Sequence, residues 1–423
     1  MMDQVAAARR SAEIAARDSF GRLASWLAWQ WRDIAAAEDA LADALVKALE
    51  LWPEQGIPDS PDAWLLQVAK RQLLQVARHE RVCRDPTITI LFDSEEAVVR
   101  PEIPDLRLRL MLVCAHPAID EGIRTPLMLQ TVLGLQAQEI APAMLLAPAT
   151  LAQRLVRAKD KIKRAGIRFE EPEASELSSR LQSVLEAIYG AFGLSVDADL
   201  GGDGRLRDLN QEALFLGQLV CRLLPESAEA AGLLALMMFR QSRQPAEFNI
   251  AGDFVPLSAQ DCALWDRQTI IRADQLLWDA ARLRQPGPFQ LEAAIQSAHC
   301  HRLFFGHTPW RAIAALYGEL NSHFGTIGSR VAAAVATKEA GDVGAALGML
   351  DAMDASAVRE FQPYWVARAD LLRSAGRPVE ARQALDQAIE LTRRPLVRAY
   401  LRSLRESSGM ALLALAEYPS EQR

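Results

Sequence analysis

The chain has 423 residues, half of them apolar and 24% charged, with a formal net charge of −7. That length exceeds what one core can serve and implies roughly two to four domains, while the apolar content excludes wholesale disorder. The acidic total does not of itself suggest a nucleic-acid partner, so the distribution of charge has to decide. Ala, Leu, Arg, Glu and Gln dominate over β-branched and aromatic residues, which points to an all-α fold. Five widely spaced cysteines (Cys83, Cys114, Cys221, Cys262, Cys300) with no CxxC pair support neither a disulfide framework nor a zinc ribbon. No stretch approaches the roughly 18 apolar residues of a membrane span, and the N-terminus lacks the apolar run of a secretory leader. The expectation is a cytoplasmic protein with no membrane partner.

In chain order, residues 11–52 read as two helices. Leu23, Trp26, Leu27 and Ile34 form one stripe, and Leu41, Leu45, Ala48 and Leu49 a second. Trp52-Pro53 is expected to end the second helix, because proline lacks the amide and disfavours α geometry before it. After a turn-rich loop at 54–61, Ser60 caps and Pro61 opens a helix running from about Asp62 to Glu80. Residues 84–103, with Pro86, Pro101 and the acids Asp93, Glu95 and Glu96, read as a linker. A second helical unit follows at about 105–166, then an acidic link at Glu170-Glu171-Pro172-Glu173. From 175 onward helices alternate with Gly/Pro breaks at 201–204 and 285–288, and Phe248–Leu257 reads as a loop or small hairpin.

Near the end, Ala340-Gly341-Asp342 precedes Ala346 and Leu350, and Ala375-Gly376-Arg377 precedes Ala381 and Leu385. This spacing is close to the tetratricopeptide period, in which glycine makes the turn between paired helices. Repeats are expected near 329–392, with the helices of Leu291–Tyr317 completing the stack.

Charge concentrates in two places. Arg154, Arg157, Lys159, Lys161, Lys163, Arg164 and Arg168 face one acid, Asp160; Lys70, Arg71, Arg78, Arg81 and Arg84 face Glu80. The first run lies in a helix-turn-helix pattern: a short helix from Gly134 to Ala141, a break at Leu146-Ala147-Pro148, and a second helix from Ala149. Leu151, Leu155 and Ala158 share its inward face. Thr150, Gln153, Arg154 and Arg157 project outward, where a recognition helix offers Arg and Gln to base edges. Lys161, Lys163 and Arg164 lie further along and suit phosphates. Pro142, inside the first helix, is expected to kink it or shift its start. An ordinary amphipathic helix with a solvated basic face fits the same pattern, and the residues alone leave both readings open.

Enzyme motifs are missing: there is no HExxH, Walker loop, Rossmann glycine pattern or nucleophile elbow. Gly201-Gly202-Asp203-Gly204 lacks the Lys-Ser/Thr of a phosphate loop. His299-Cys300-His301 with His307 is a poor chelate, since neighbours on a helix point about 100° apart. Cys114 and His116 read as packing or capping residues. Neither catalysis nor a cofactor or metal is expected.

Taken together, residues 35–80 and 105–167 resemble domains two and four of the extracytoplasmic-function (ECF) sigma factors, bacterial initiation factors. "CAHPAI" at 114–119 upstream of "TLAQRLVRAKDKI" at 150–162 is similar to a subgroup with a long C-terminal extension. "GLLALMMFRQSRQPA", "LSAQDCALWDR", "GPFQLEAAIQSAH" and "RADLLRSAGRPVEARQALDQAIEL" are similar to that tetratricopeptide-like extension. The likeness covers about residues 15–405. It implies sigma domain two at 11–83, a linker at 84–103, sigma domain four at 104–168 and a helical extension at 175–415.

The resemblance also implies roles. Glu38, Asp39, Asp43, Leu45 and Glu50 match the surface for core RNA polymerase. The loop 58–61 and the helix after it match the element that captures the unstacked minus-ten strand. Asp59 and Ser60 are its candidate base contacts, and Lys70, Arg71 and Arg78 its phosphate contacts. Trp64 reads as core. Thr150, Gln153, Arg154, Arg157 and Lys161 become the minus-thirty-five readers. Ser60 stands where the family often has Asn, and the helix at 65–80 is less basic than usual. The extension is expected to regulate activity, through an intramolecular contact or a protein partner. Two other readings remain: a helical-repeat scaffold, and a conventional helix-turn-helix regulator that no longer supports initiation.

Overall fold

The computed structural model describes residues 2–84, 105–144, 146–170, 172–199 and 204–406. Among them every regular element is a helix, so the protein is all-α, and the expected linker 84–103 lies almost wholly outside the described residues. The chain divides into two compact units, Met1–Ala187 and Ile188–Arg423.

The first unit opens with α1 (Met2–Ile14), a π-helical turn (Ala15–Ser19) and α2 (Phe20–Trp31). Arg32 in the left-handed region (φ 55°) breaks the chain, and Asp33 caps α3 (Ile34–Gln55) by accepting from the Ala36 amide at 3.1 Å. Proline 53 does not end α3. The helix passes through it to Gln55 and stops at Gly56 (φ 90°), whose amide donates to the Trp52 carbonyl at 3.0 Å. The stripe that buries is Ala37, Leu41, Ala44, Ala48 and Trp52, a mostly small-residue face on which α4 (Pro61–Arg84) packs with Leu65, Ala69 and Leu73. Leu45 and Leu49, expected in that stripe, turn out half-buried and exposed, because the true stripe lies one helical position away.

Next come α5 (Arg107–Cys114), α6 (Glu121–Leu133), α7 (Ala137–Ile140) and α8 (Pro148–Arg164). The Cys114 thiol sits 3.7 Å from the Thr131 hydroxyl in the core, and His116 Nδ1 accepts from the Ala118 amide at 3.1 Å, closing a turn. Helix α2 packs on both α5 and α6. At Gly21 the backbones come so close that an added Cβ would lie 1.8 Å from the Val132 carbonyl oxygen, so only glycine fits. Trp29 meets Phe169 edge-on at 6.2 Å, and the Arg109 guanidinium lies 5.7 Å from the Trp29 ring. The two stretches expected as separate small domains are therefore packed against each other within one unit.

Helix α9 (Ala174–Asp199) contains the division between units. In the second unit follow α10 (Gly204–Leu223), α11 (Ala228–Arg243), α12 (Arg267–Arg282), α13 (Pro288–Phe305) and α14 (Trp310–Phe324). Then come α15 (Ile327–Glu339), α16 (Val343–Asp351), α17 (Ala355–Val358), α18 (Gln362–Ser374), α19 (Pro378–Leu391) and α20 (Pro395–Glu406). Between α11 and α12, Phe248 and Phe254 form a single antiparallel bridge, with Val255 donating to the Glu247 carbonyl at 2.8 Å.

Gly341 (φ 109°) turns the chain from α15 to α16, and Gly376 (φ 74°) from α18 to α19. Ala346 and Leu350 bury beyond the first turn, Ala381 and Leu385 beyond the second. Helix α14 packs on α15 through Ile313, Tyr317 and Leu320 against Ala332, Ala333 and Ala336. A charge network lies inside the later pairs: Asp370, 2% exposed, holds Lys338 Nζ at 2.7 Å and Arg373 at 2.9 Å.

Candidate nucleic-acid interface

Helix α7 is short because its sequence both starts and stops it quickly. Gln136 and Glu139 form a reciprocal capping box, with the Gln136 amide donating to Glu139 at 2.5 Å. The helix ends at Ile140, so Pro142 falls in the following turn instead of inside a helix, and no kink arises. The turn closes through the Leu146 amide to the Ala141 carbonyl at 3.1 Å. Pro148 then opens α8 at its first position, where a missing amide costs nothing.

On α8 the faces separate cleanly. Leu151, Leu155, Ala158 and Ile162 bury toward α6 and α7. Thr150, Gln153, Arg154, Arg157 and Lys161 are all exposed and fall on one face at i, i+3, i+4, i+7 and i+11. Val156, 66% exposed beside Gln153, joins this surface without any polar signal in the sequence. An exposed methyl pair is what a thymine methyl meets in a major groove.

A third edge of α8 is tied to α3. Lys159 Nζ lies 2.5 Å from Glu38 Oε2, and Lys163 Nζ 2.7 Å from Asp33 Oδ2. Lys163 is exposed but shared with Asp33, and Arg164, also exposed, pairs with Asp160 at 2.9 Å. Burial raises the Glu38 carboxyl above the usual range, with Lys159 opposing that shift.

Glu38 consequently does not share the open surface expected of it, and Leu45 is half-buried. The exposed face of α3 carries Asp39, Asp43, Val46, Lys47, Leu49 and Glu50; Leu49 reads as core in the sequence because its spacing places it in the apolar stripe, and Val46 gives no signal. Asp43 accepts a hydrogen bond from Gln72 on α4.

Asp59 and Ser60 are exposed at the lip of a cleft of about 270 Å³, completed by Ser11, Ile14, Ala15, Ser19, Pro61 and Asp62. The π-helical turn Ala15–Ser19 forms one wall, a distortion that often marks functional positions. Asp62 is held by Arg22 at 2.5 Å. Of the candidate phosphate contacts, Arg71 and Arg78 are exposed on α4, whereas Lys70 is half-buried with its ammonium 4.4 Å from the Trp26 ring centre. Trp64 is half-buried, edge-on to Trp52 at 5.5 Å.

Of the histidines near 300, His301 and His307 meet edge-on at 5.5 Å, while His299 turns elsewhere. His299 is buried against Trp310, and desolvation, with the charges of Arg243 and Arg302, pushes its pKa down to about 3. His301 stacks on Phe305 at 3.9 Å. No group of three potential metal ligands occurs among the described residues. No helix among them is long and apolar enough to cross a membrane.

Residues 180–281, from within α9 almost to the end of α12, match a family described as "Family of unknown function (DUF6596)". An uncharacterized protein of Rhizobium meliloti (strain 1021), R00370, is 35% identical over 380 residues, spanning 88% of this chain and 90% of that protein. No solved structure matches the chain.

Proposed function

The chain belongs to one family with the Rhizobium meliloti protein, and on that premise we propose that it is an alternative sigma factor, binding core RNA polymerase and directing it to promoters. The observation that carries this reading is the open face of α8, where Thr150, Gln153, Arg154, Arg157 and Lys161 stand together on a helix opened by Pro148. A groove-reading helix needs this arrangement: bidentate donors in its first half, a cation further along, and a buried seam behind. The acidic and apolar face of α3 supplies a polymerase contact, and the cleft at Asp59 and Ser60 is large enough to hold one unstacked base. The protein acts by binding, in the cytoplasm, and its C-terminal unit regulates it or docks a partner.

Transcription by core polymerase with added protein tests the reading, the promoter first being found by mapping transcript starts after overexpression. Replacing Arg154 and Arg157 together by Ala removes two base or phosphate contacts and is expected to cut promoter-directed transcripts at least tenfold, since each such contact contributes about 1–3 kcal/mol. If the purified protein neither co-migrates with core polymerase nor directs any transcript, the reading fails. Tight binding to a palindromic duplex without polymerase would instead identify a conventional helix-turn-helix regulator.

A further inference from the structure

Four cysteines among the described residues are free thiols, and they fall into two kinds. Cys114 lies in the core of the first unit and Cys221 is half-buried on α10; burial pushes their thiols up to about 12 and about 11. Both stay protonated at neutral pH and are poor nucleophiles. Cys262 and Cys300, in the second unit, each accept a hydrogen bond from an arginine. Arg302 Nε donates to Cys262 Sγ at 3.1 Å, and Arg243 Nη1 to Cys300 Sγ at 3.3 Å.

Both arginines lie on one ring: their guanidinium carbons are 5.9 Å (Arg243) and 5.2 Å (Arg302) from the centre of buried Trp265. Neither is paired with a carboxylate among the described residues. Arg243 adds only the Gln296 amide oxygen, and Arg302 adds the carbonyls of Leu257, Ser258 and Gln260 at 3.0, 2.8 and 2.8 Å. Two cations whose charge no acid cancels therefore each aim an N–H at a sulfur. Such a donor holds the negative charge that sulfur carries when it reacts, and reactive cysteines sit in electropositive, partly exposed places of this kind. The two thiols differ in access, Cys262 being half-buried and Cys300 only 1% exposed. They are also neighbours. Cys300 lies two residues before Arg302 on α13, and the backbone of the turn Cys262–Leu264 comes within 8 Å of that helix. A disulfide tolerates Cα atoms up to about 7 Å apart, so a small movement of the loop closes the distance.

We propose that Cys262 and Cys300 are a thiol pair that a hydroperoxide oxidises to an intramolecular disulfide, with Arg302 positioning Cys262 for the first step. The Cys262 sulfur attacks the distal peroxide oxygen. An S–O bond forms as the O–O bond breaks, and the thiol proton leaves with the other oxygen as water or alcohol, so that Cys262 becomes a sulfenic acid. The Cys300 sulfur then attacks the Cys262 sulfur from inside. The S–S bond forms, the S–O bond breaks, and the hydroxide leaves with the Cys300 proton as water. The two sulfurs together lose two electrons and the peroxide gains them. The disulfide takes the acceptor from Arg302 Nε but leaves its three carbonyl contacts, so the change is local to the loop 257–262. The proposal is independent of the sigma reading.

Hydrogen peroxide added to the reduced, folded full chain tests it, with free thiols then alkylated and the unreduced digest read by mass spectrometry. A peptide pair joining Cys262 to Cys300 is expected before any link to Cys83, Cys114 or Cys221, and dithiothreitol should abolish it. Cys300→Ala, which removes only a sulfur, should leave a sulfenic acid at Cys262 that dimedone traps. Cys262→Ser should leave Cys300 unlabelled under the same treatment. Arg302→Lys keeps the charge but loses the planar fork, and should slow the labelling of Cys262 at least about threefold in a chain whose circular dichroism is unchanged. Absence of the Cys262–Cys300 link, an earlier link between other cysteines, or Cys262 unlabelled in Cys300→Ala overturns the proposal. An unchanged labelling rate in Arg302→Lys overturns the positioning role of Arg302. Should Arg302→Lys not fold, the trapping in Cys300→Ala still decides for or against the pair.

Discussion

Helices α8 and α12 have nearly the same length, 17 and 16 residues, and each buries one apolar stripe while sending arginines outward. They differ in what stands beside the arginines. On α8 it is Thr150 and Gln153, small polar groups that suit base edges; on α12 it is Ile271 and Trp278, large apolar groups 51% and 72% exposed. They also differ in how they are anchored. Helix α8 has a charged edge, Lys159 and Lys163, tied to acids of α3, whereas α12 seats Ile270, Ala273 and Ala280 on its neighbours and adds one neutral-donor hydrogen bond, from the Ser297 hydroxyl of α13 to Asp274 at 2.5 Å. Arginine content by itself says little about a partner; its neighbours and the seat of the helix do.

The comparison can be broken most severely at the seat of α8. Gly21→Ala forces the α2 and α6 backbones apart and is expected to cost about 3 kcal/mol or more, read as a drop in the denaturant midpoint of the first unit. Lys159→Met comes next. It leaves Glu38 buried without its cation and is expected to cost about 3 kcal/mol at neutral pH. Glu38 already sits above its ordinary value, so the stability tied to its proton is fully present below 4.5 and lost as pH rises through the raised folded value. Without Lys159 that window moves higher, so acidifying from neutral pH should recover part of the loss.

The seat of α12 responds to pH in the opposite sense. His299 on α13 is held neutral, its pKa pushed from 6.5 down to about 3, while the unfolded chain protonates normally. Stability is therefore complete above 6.5 and falls as pH drops, by about 1.4 kcal/mol per unit at most. Denaturation curves on either side of 6.5 should show this slope in the wild type and lose it in His299→Gln. The smallest effect belongs to the outer face: Trp278→Ala is expected to change folding stability by no more than about 0.5 kcal/mol, because a side chain this exposed contributes little to the core. A large loss of stability there would mean that α12 is not an open surface.

Helical content, the faces of α8 and the glycine turns at Gly341 and Gly376 were legible in the sequence, because each depends on neighbours within a few residues. Spacing at 3.6 residues per turn separates Leu151, Leu155 and Ala158 from Arg154 and Arg157 without reference to anything distant. Pro142 was harder, since the same proline ends a helix or kinks one according to where the preceding cap begins. At Pro53 the local rule failed, as the last turn of α3 tolerated a proline that Gly56 then terminated.

The open and closed edges of each helix were decided only by tertiary structure. Lys159 and Lys161 are two positions apart and alike in chemistry, yet one is held by Glu38, 121 residues away, and the other is exposed. Leu49 reads as core by its spacing until the packing of its helix leaves it outside, and the exposure of Val46, Val156 and Trp278 has no local signal at all. Sequence periodicity tells which residues share a face, but which face meets a partner depends on what the rest of the chain brings against it, and that information is not local.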